Sequence, residues 1–360
     1  MVLVRLNPRS PEPYIHFRQV GSFLSMLKIF LCGDGMHNFT PFSPCYNHPM
    51  ILVTGGTGFI GKALVRHLGE AGYPVRLLIR PSKRSPDLPK SMPVEVAVCN
   101  LNDLRGLRSA MQGIDLVYHL AGVEWHGAHG SLMEVDIQGT QALSRVALES
   151  GVKRLFYLSH LGADRGSAFP VLKAKAIAEE NIRRSGISHT ILRSALVYGM
   201  NDHFTTGLAS ILSAMPFFFL VPEEGNTLLQ PIWVEDLVTC LVWALDNDLT
   251  INQTYSVGGP EYLTFNHIVH AILDQLDTHR QLVHVFPPYL RALTVLFESM
   301  FPGLPLSVYW LDYLAVNRTC SLDVLPRVFS ILPSRFDHRL DHLKGAAWRK
   351  PIWRTLLQRR

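Results

Sequence analysis

The apolar positions of this chain occur in short runs that alternate with longer segments of helical spacing. The run 51–53 predicts a buried strand, and the apolar residues of 59–68 recur at the spacing of an amphipathic helix. Further strands are predicted over 74–79, 94–98, 115–122 (ending in a glycine turn), 153–159 and 187–192, and further helices over 102–111 (with Asn102 as N-cap), 131–150 and 171–185. This rhythm predicts an α/β fold with a doubly wound parallel sheet, because each crossover must pack a helix back onto the sheet.

The rhythm changes near residue 200. Helices predicted over 235–245, 264–276 and 288–300 alternate with short extended pieces such as 253–257. We therefore expect residues 201–360 to form a smaller, mixed, mainly helical C-terminal region that completes a cleft on the substrate side. Residues 1–49 contain six prolines and no sustained period, and Met50 directly precedes the first strand. We interpret 1–49 as a disordered N-terminal extension or a start-site artefact.

A glycine-rich turn joins the first strand to the first helix. Gly56, Gly58 and Gly61 have the G-x-G-x-x-G spacing, and Gly55 adds an overlapping G-x-x-G-x-x-G. Glycines at these positions permit a tight turn, close approach of backbone to a pyrophosphate and close packing of helix on strand. The phosphates would lie at the positive end of the helix. Residues 50–200 are thus predicted to be a Rossmann-type NAD(P)-binding domain.

Composition excludes several other classes. The net charge is +5, but lysine and arginine are scattered, and no basic stripe with interleaved aromatic residues points to nucleic acid. The five cysteines are widely spaced without C-x-x-C, which favours free thiols in a reducing compartment. We expect no metal site, no transmembrane segment and a cytoplasmic location.

Several short motifs occur in the order found in one superfamily. They are Thr54–Gly61, His119–Gly122, Gly139-Thr140, Ser159, Lys175-Ala-x-Ala-Glu179, Ile191–Arg193, Val197–Gly199, Gln230–Asp236 and Tyr255–Gly259. Together they resemble the extended and atypical short-chain dehydrogenase/reductases, which include NAD-dependent epimerases and dehydratases. Within that superfamily the chain looks most like the nucleotide-binding accessory subunit of respiratory complex I and its bacterial relatives, with the NmrA-like proteins next.

The resemblance implies a set of cofactor-binding residues. They are Thr54, Gly55, Gly56, Thr57, Gly58, Phe59, Ile60 and Gly61 around the pyrophosphate, Asn100 and Leu101 by the adenine, Leu120, Ala121 and Gly122 along the trough, Lys175 at the nicotinamide ribose, and Arg193, Ser194, Ala195 and Leu196 at the nicotinamide end. It also implies a dinucleotide as partner, a respiratory complex or other protein as a second partner, and peripheral contact at the inner membrane.

The catalytic pair of the superfamily is incomplete. Active members resemble one another in a Y-x-x-x-K pair, whose tyrosine donates a proton with its pKa lowered by the lysine. Four residues before Lys175 this chain has Val171, which cannot transfer a proton. Ser159 and Lys175 remain the catalytic candidates, and His160 is an alternative acid.

The end of the second strand bears on cofactor choice. An acid there would bind the ribose hydroxyls of NAD, but this chain has Arg80, Lys83 and Arg84. Cationic side chains suit a 2′-phosphate, so we expect NADP(H) in preference to NAD(H).

Three functions stay open at this point. The first is an accessory, regulatory or assembly factor that holds NAD(P)(H) with weak or absent turnover. The second is an active NADP-dependent reductase, epimerase or dehydratase acting on a sugar nucleotide or an isoprenoid-like compound. The third is an interaction scaffold whose fold binds no cofactor.

Overall fold

A computed structural model describes residues 48–82, 88, 93–123, 131–215, 217–300, 307–345 and 348. The strands are β1 (Ile51–Thr54), β2 (Val75–Ile79), β3 (Glu95–Val98), β4 (Leu116–His119), β5 (Arg154–His160), β6 (His189–Ser194), β7 (Val197–Tyr198), β8 (Phe218–Pro222), β9 (Leu228–Leu229), β10 (Ile232–Trp233), β11 (Gln253–Val257), β12 (Leu263–Thr264) and β13 (Gln281–Val285). The helices are α1 (Phe59–Glu70), α2 (Leu104–Ala110), α3 (Thr140–Glu149), α4 (Pro170–Ser185), α5 (Thr205–Ala214), α6 (Val234–Trp243), α7 (Phe265–Gln275), α8 (Pro287–Met300), α9 (Val308–Leu314) and α10 (Val324–Phe329).

Within the described residues, the main sheet has seven strands in the order β11-β6-β5-β4-β1-β2-β3. Every neighbouring pair in it is parallel. The strand order reverses between β1 and β4, which is the switch point where doubly wound sheets bind ligands at the carboxyl ends of their strands. The predicted α/β fold is confirmed.

Alternating side chains of the strands divide the core between the two faces of the sheet. Ile51 and Val53 point to the face covered by α1 and α6, whereas Leu52 points to the face covered by α2, α3 and α4. All three side chains are fully buried. Because both faces of a parallel sheet are buried, its strands occur in the sequence as continuous apolar runs.

The chain returns to this sheet after residue 200. β11 pairs with β6 at the sheet edge, and α6 packs against α1. Glu235 at the start of α6 accepts hydrogen bonds from Arg66 (2.6 Å) and pairs with His67 (2.6 Å), both on α1. A further buried cluster joins α5, α7 and α9. In the described parts of the chain, no helix combines the length and apolarity needed to cross a membrane.

Candidate dinucleotide-binding site

A cavity of about 950 Å³ opens at the carboxyl ends of β1, β4, β5 and β6. It lies at the switch point of the sheet, where the fold places ligands. Its walls include most of the residues predicted to bind a cofactor, namely Thr54, Gly55, Thr57, Gly58, Phe59, Ile60, Gly61, Arg80, Asn100, Leu101, Leu120, Ala121, Gly122, Ser194, Ala195 and Leu196. Gly56, Lys175 and Arg193 are not part of this wall.

The turn after β1 requires glycine at two positions. Gly55 has φ +73°, and a Cβ there would lie 2.7 Å from the carbonyl carbon of Leu120 on the adjoining strand end. A Cβ on Gly61 would lie 2.1 Å from the carbonyl oxygen of Gly55. The absence of side chains therefore lets α1 start directly against the turn and leaves backbone amides facing the cavity.

The N-terminus of α1 provides the electrostatics for an anion. Its N-cap is Gly58, and no described side chain caps it. The first N–H groups of a helix lack intrahelical partners and carry partial positive charge, so they bind phosphate well. With the glycine turn beside it, this end of the cavity fits a pyrophosphate.

A buried hydrogen-bond chain fixes the strand ends beneath the cavity. His119 Nδ1 lies 2.7 Å from Thr54 Oγ1, and its Nε2 lies 2.8 Å from Thr140 Oγ1. Thr54 Oγ1 also accepts the N–H of Ala121 at 3.3 Å. These bonds explain the His119–Gly122 and Gly139-Thr140 motifs, because they tie β1, β4 and α3 into one rigid floor.

The second strand presents a basic residue to the cavity. Arg80 directly follows β2, is exposed and lines the wall together with Ser82, Asn100 and Leu101. Lys83 and Arg84 lie outside the described residues. An arginine at this strand end can form charge-assisted hydrogen bonds with a phosphate.

Lys175 forms a buried ion pair behind the cavity wall. Its Nζ lies 3.0 Å from Asp136 Oδ1, and the two side chains are 3% and 0% exposed. Asp136 Oδ2 also accepts the N–H of Val123, which lines the cavity. Asp136 belongs to a π-helical segment, Met133–Gly139, that precedes α3.

The Ser159 hydroxyl donates its proton to Glu179 Oε1 at 2.6 Å. Arg193 donates to the same carboxylate through Nε (2.8 Å) and Nη2 (2.7 Å). Glu179 is fully buried. The Glu179 carboxylate thus joins β5, α4 and β6. Lys175 and Glu179 are four residues apart on one face of α4, which accounts for their spacing in the sequence.

The end of the cavity next to α9 contains aromatic residues that the sequence motifs did not identify. Tyr309, Trp310 and Tyr313 of α9 line it together with His160 at the end of β5. The His160 ring centroid lies 6.3 Å from that of Tyr309 and 6.5 Å from that of Tyr313. Burial raises the pKa of Tyr313 above its ordinary value, so its phenol stays protonated at neutral pH. The three aromatic residues within 308–314 were the one sequence feature that could have indicated this part of the cavity wall.

Val171 faces a second cavity of about 410 Å³ that adjoins the first. His160, Tyr309, Tyr313 and Val123 belong to the walls of both cavities. Val171 thus presents an isopropyl group to a mainly apolar space. Among the described residues, no cluster of three or more His, Cys, Asp or Glu side chains could hold a metal ion.

Comparison with known proteins agrees with this geometry. A family model described as NAD(P)H-binding matches residues 55–211. NADH dehydrogenase [ubiquinone] 1 alpha subcomplex subunit 9, mitochondrial, of Arabidopsis thaliana is 28% identical over 262 residues, which cover 70% of this chain and 64% of the relative. The matched stretch is thus slightly under two thirds of that relative's length.

Two solved structures are similar in fold. UDP-glucose 4-epimerase of Thermus thermophilus, in complex with NAD, has a TM-score of 0.62 at 20% identity over 83% of this chain and 100% of that chain. Triphenylmethane reductase of Citrobacter sp., complexed with NADP(H), has a TM-score of 0.64 at 21% identity over 82% and 99%. The family model matches the glycine turn and most of the cavity wall, and the two structures share the α/β fold of this chain.

Proposed function

We propose that this relative of the atypical short-chain dehydrogenase/reductases holds NADP(H) as a resident ligand and serves as an accessory, regulatory or assembly subunit with weak or absent turnover. Bound NADP(H) would supply a hydride donor or acceptor. The chain's own residues bind its phosphates at the glycine turn and α1, but position 171, where the superfamily has its proton-donating tyrosine, is a valine.

The observation that carries this proposal is the state of the catalytic positions. Val171 replaces the phenol, the Lys175 ammonium is paired with Asp136, and the Ser159 hydroxyl donates to Glu179. Proton transfer to a substrate requires a donor within hydrogen-bond reach whose proton is free to move. Each of the superfamily's usual groups is here absent or engaged within the protein.

The preference for NADP(H) is supported by Arg80. Arg80 directly follows β2 and lines the cavity at the position where NAD-binding folds have an acidic residue. Planar, permanently charged guanidinium groups bind phosphate in bidentate fashion.

A respiratory complex is the proposed partner, because the Arabidopsis relative is named as a subunit of a mitochondrial NADH dehydrogenase. We place the protein peripherally at a respiratory membrane on the same ground. A cleft that binds a dinucleotide without consuming it could report the redox state of the nucleotide pool or stabilise the subunit during assembly.

The alternative is an active NADP-dependent reductase, epimerase or dehydratase on a sugar-nucleotide or isoprenoid-like substrate. One observation favours it. His160 lies at the junction of the two cavities with Tyr309 and Tyr313, so an imidazole could replace the missing phenol as acid.

Co-purification and turnover distinguish the two functions. The purified full chain should release NADP(H) on denaturation, detected by mass spectrometry, and should oxidise added NADPH no faster than buffer with sugar-nucleotide or quinone substrates. Rapid oxidation that His160→Ala abolishes would establish the alternative instead. Lys173→Ala is the matched control for differences between protein preparations, because Lys173 is exposed and lies two residues before Lys175.

A further inference from the structure

We propose that the second cavity binds a single-chain anionic lipid, with its hydrocarbon chain along the apolar walls and its carboxylate or phosphate head on Arg318. The inference goes beyond the proposed function, because binding in this cavity needs neither turnover nor a dinucleotide.

The walls of this cavity suit a hydrocarbon chain. Apolar side chains surround most of it, among them Val123, Leu132, Phe169, Val171, Val295 and Val308. Its volume of about 410 Å³ falls within the range of about 300–1,000 Å³ that is usual for small-molecule sites. Displacement of water from such apolar surface by a hydrocarbon is favourable in free energy.

Arg318 provides the charge. Its side chain lines the cavity, and the residue is only 4% exposed. The guanidinium donates to the carbonyl oxygens of Tyr313 (2.9 Å), Leu161 (3.3 Å) and Asp312 (3.2 Å), and it lies 4.4 Å from the ring centroid of Tyr313. In the part of the chain that is described, it forms no ion pair with a carboxylate. Because a guanidinium has five N–H groups, donors remain for a ligand.

A buried charge without a counter-ion is costly, and an anion in the cavity would remove that cost. The carboxylates of Asp312 and Glu298 also line the cavity, but Asp312 is paired with Arg291, and among the described residues neither carboxylate forms an ion pair with Arg318. The cavity therefore combines a buried cation with apolar walls, and an amphipathic anion satisfies both.

The cavity wall contains three further charged side chains, those of Arg291, Glu298 and Asp312. Because Arg291 and Asp312 pair with each other, the position of Glu298 sets the direction of the hydrocarbon chain. Glu298 Oε2 accepts the N–H of Val308 (3.3 Å) at the start of α9, whereas Arg318 binds carbonyls at the end of that helix. Seven helical residues span about 10 Å, so the carboxylate and the guanidinium lie at opposite ends. The anionic head would lie by Arg318 and His160, and the chain would point towards α8.

The outer rim supports this direction. Val295 of α8 lines the cavity and is 51% exposed, and its helix neighbour Leu296 is 53% exposed. An apolar rim at the mouth would accept the end of a chain longer than the cavity.

The test titrates the purified full chain by calorimetry with oleate, oleoyl lysophosphatidate and oleyl alcohol, each below its critical micelle concentration. We expect at least one of the two anions to bind with 1:1 stoichiometry and oleyl alcohol to bind at least about tenfold more weakly, because a charged hydrogen bond is lost. The two anions separate a carboxylate from a phosphate head. Equal affinities for the alcohol and the anions, or no binding of either anion, would overturn the proposal.

Two variants locate the site. Arg318→Lys should weaken the binding of the anions and leave the affinity for oleyl alcohol unchanged. Since Arg318 also ties three carbonyls together, Val171→Phe provides a second route, because its ring fills the cavity from the opposite wall. It should abolish anion binding while circular dichroism shows the variant to be folded like the wild type. The control Val283→Phe lies on β13, outside the cavity wall, and should bind like wild type. Anion binding that survives Val171→Phe would contradict the proposal, whatever the NADPH titration shows.

Discussion

Asp136 and Lys175 form an ion pair with 3.0 Å between Oδ1 and Nζ in a place that is almost closed to solvent. Lys175 belongs to α4, and Asp136 belongs to the π-helical segment before α3. π-helical turns are rare and occur frequently at functional sites. The Lys175 ammonium is thus neutralised by a carboxylate from a neighbouring element.

Removal of Asp136 should leave a buried charge without a partner. We predict that Asp136→Ala lowers the free energy of unfolding by about 3–5 kcal/mol, and that adding Lys175→Met recovers most of the loss. Urea unfolding of both single variants and the double variant measures the coupling. Strictly additive losses would show that the two groups do not interact.

The same ion pair should control the activity of a tyrosine introduced at position 171. We predict that Val171→Tyr alone stays at background rate, because the Asp136 carboxylate offsets the effect of the ammonium on the pKa of the new phenol. Val171→Tyr with Asp136→Asn should oxidise NADPH measurably with a dicarbonyl substrate such as phenanthrenequinone. The assay follows the absorbance of reduced nicotinamide. Equal activity of the single and double variants would refute the role given to Asp136.

Gly61 should tolerate no side chain. A Cβ at this position would lie 2.1 Å from a backbone oxygen, so Gly61→Ala must displace α1 from the turn. We predict a loss of NADPH affinity of at least about tenfold, because a shifted helix end no longer meets the phosphates. Gly166→Ala is the control, since its nearest neighbour would be 3.7 Å away. Identical NADPH affinities for the two variants would show that the glycine turn does not contribute to nucleotide binding.

Arg80 should distinguish the two cofactors. We predict that Arg80→Ala raises the Kd for NADPH by roughly tenfold or more, because a charged hydrogen bond contributes about 1.5–3 kcal/mol, and leaves the Kd for NADH nearly unchanged. Fluorescence titration with each nucleotide measures both. Arg327→Ala, an exposed arginine on α10 outside the cavity wall, serves as control. A parallel loss for NADH would mean that Arg80 does not recognise the 2′-phosphate.

Asp115 should make a small, pH-dependent contribution to the free energy of unfolding. The Lys153 ammonium (2.8 Å) and the N–H of Met50 (2.9 Å) hold the pKa of its carboxyl below the ordinary value of about 3.9. A lowered folded-state pKa stabilises the protein above the unfolded pKa, and this contribution disappears as the pH falls through the folded pKa. Asp115→Asn should therefore cost up to about 1 kcal/mol near pH 6 in urea unfolding, and the cost should shrink as the pH falls below the unfolded pKa. A pH-independent difference would exclude this ion pair as the cause.

The sheet was predictable because its signal is local. Each buried strand is an apolar run, and the glycine turn lies between a strand and a helix, so β1 to β6 and the cavity at their ends follow from pattern alone. Helix ends were harder to predict. Asn102 was predicted as the N-cap of α2, but Asp103 caps it by accepting the N–H groups of Arg105 and Gly106 at 3.1 Å. Asn102 donates instead to the carbonyl oxygen of Glu134.

The interior of the site was not predictable in the same way, because it depends on contacts between distant elements. Pattern cannot show that Ser159 donates to Glu179 or that Lys175 meets Asp136, since each pair joins separate elements. Nor does it show that Tyr309 and Tyr313 reach the strand ends, because the tertiary path of residues 201–360 brings them there.

Titration calorimetry of nucleotide-free protein with NADPH and with NADH tests the central claim most directly. The claim is that the amides of the glycine turn and α1 bind a dinucleotide. We predict saturable heat with one nucleotide per chain and a lower Kd for NADPH. Absence of heat with both nucleotides, in protein whose circular dichroism shows it to be folded, would contradict the account.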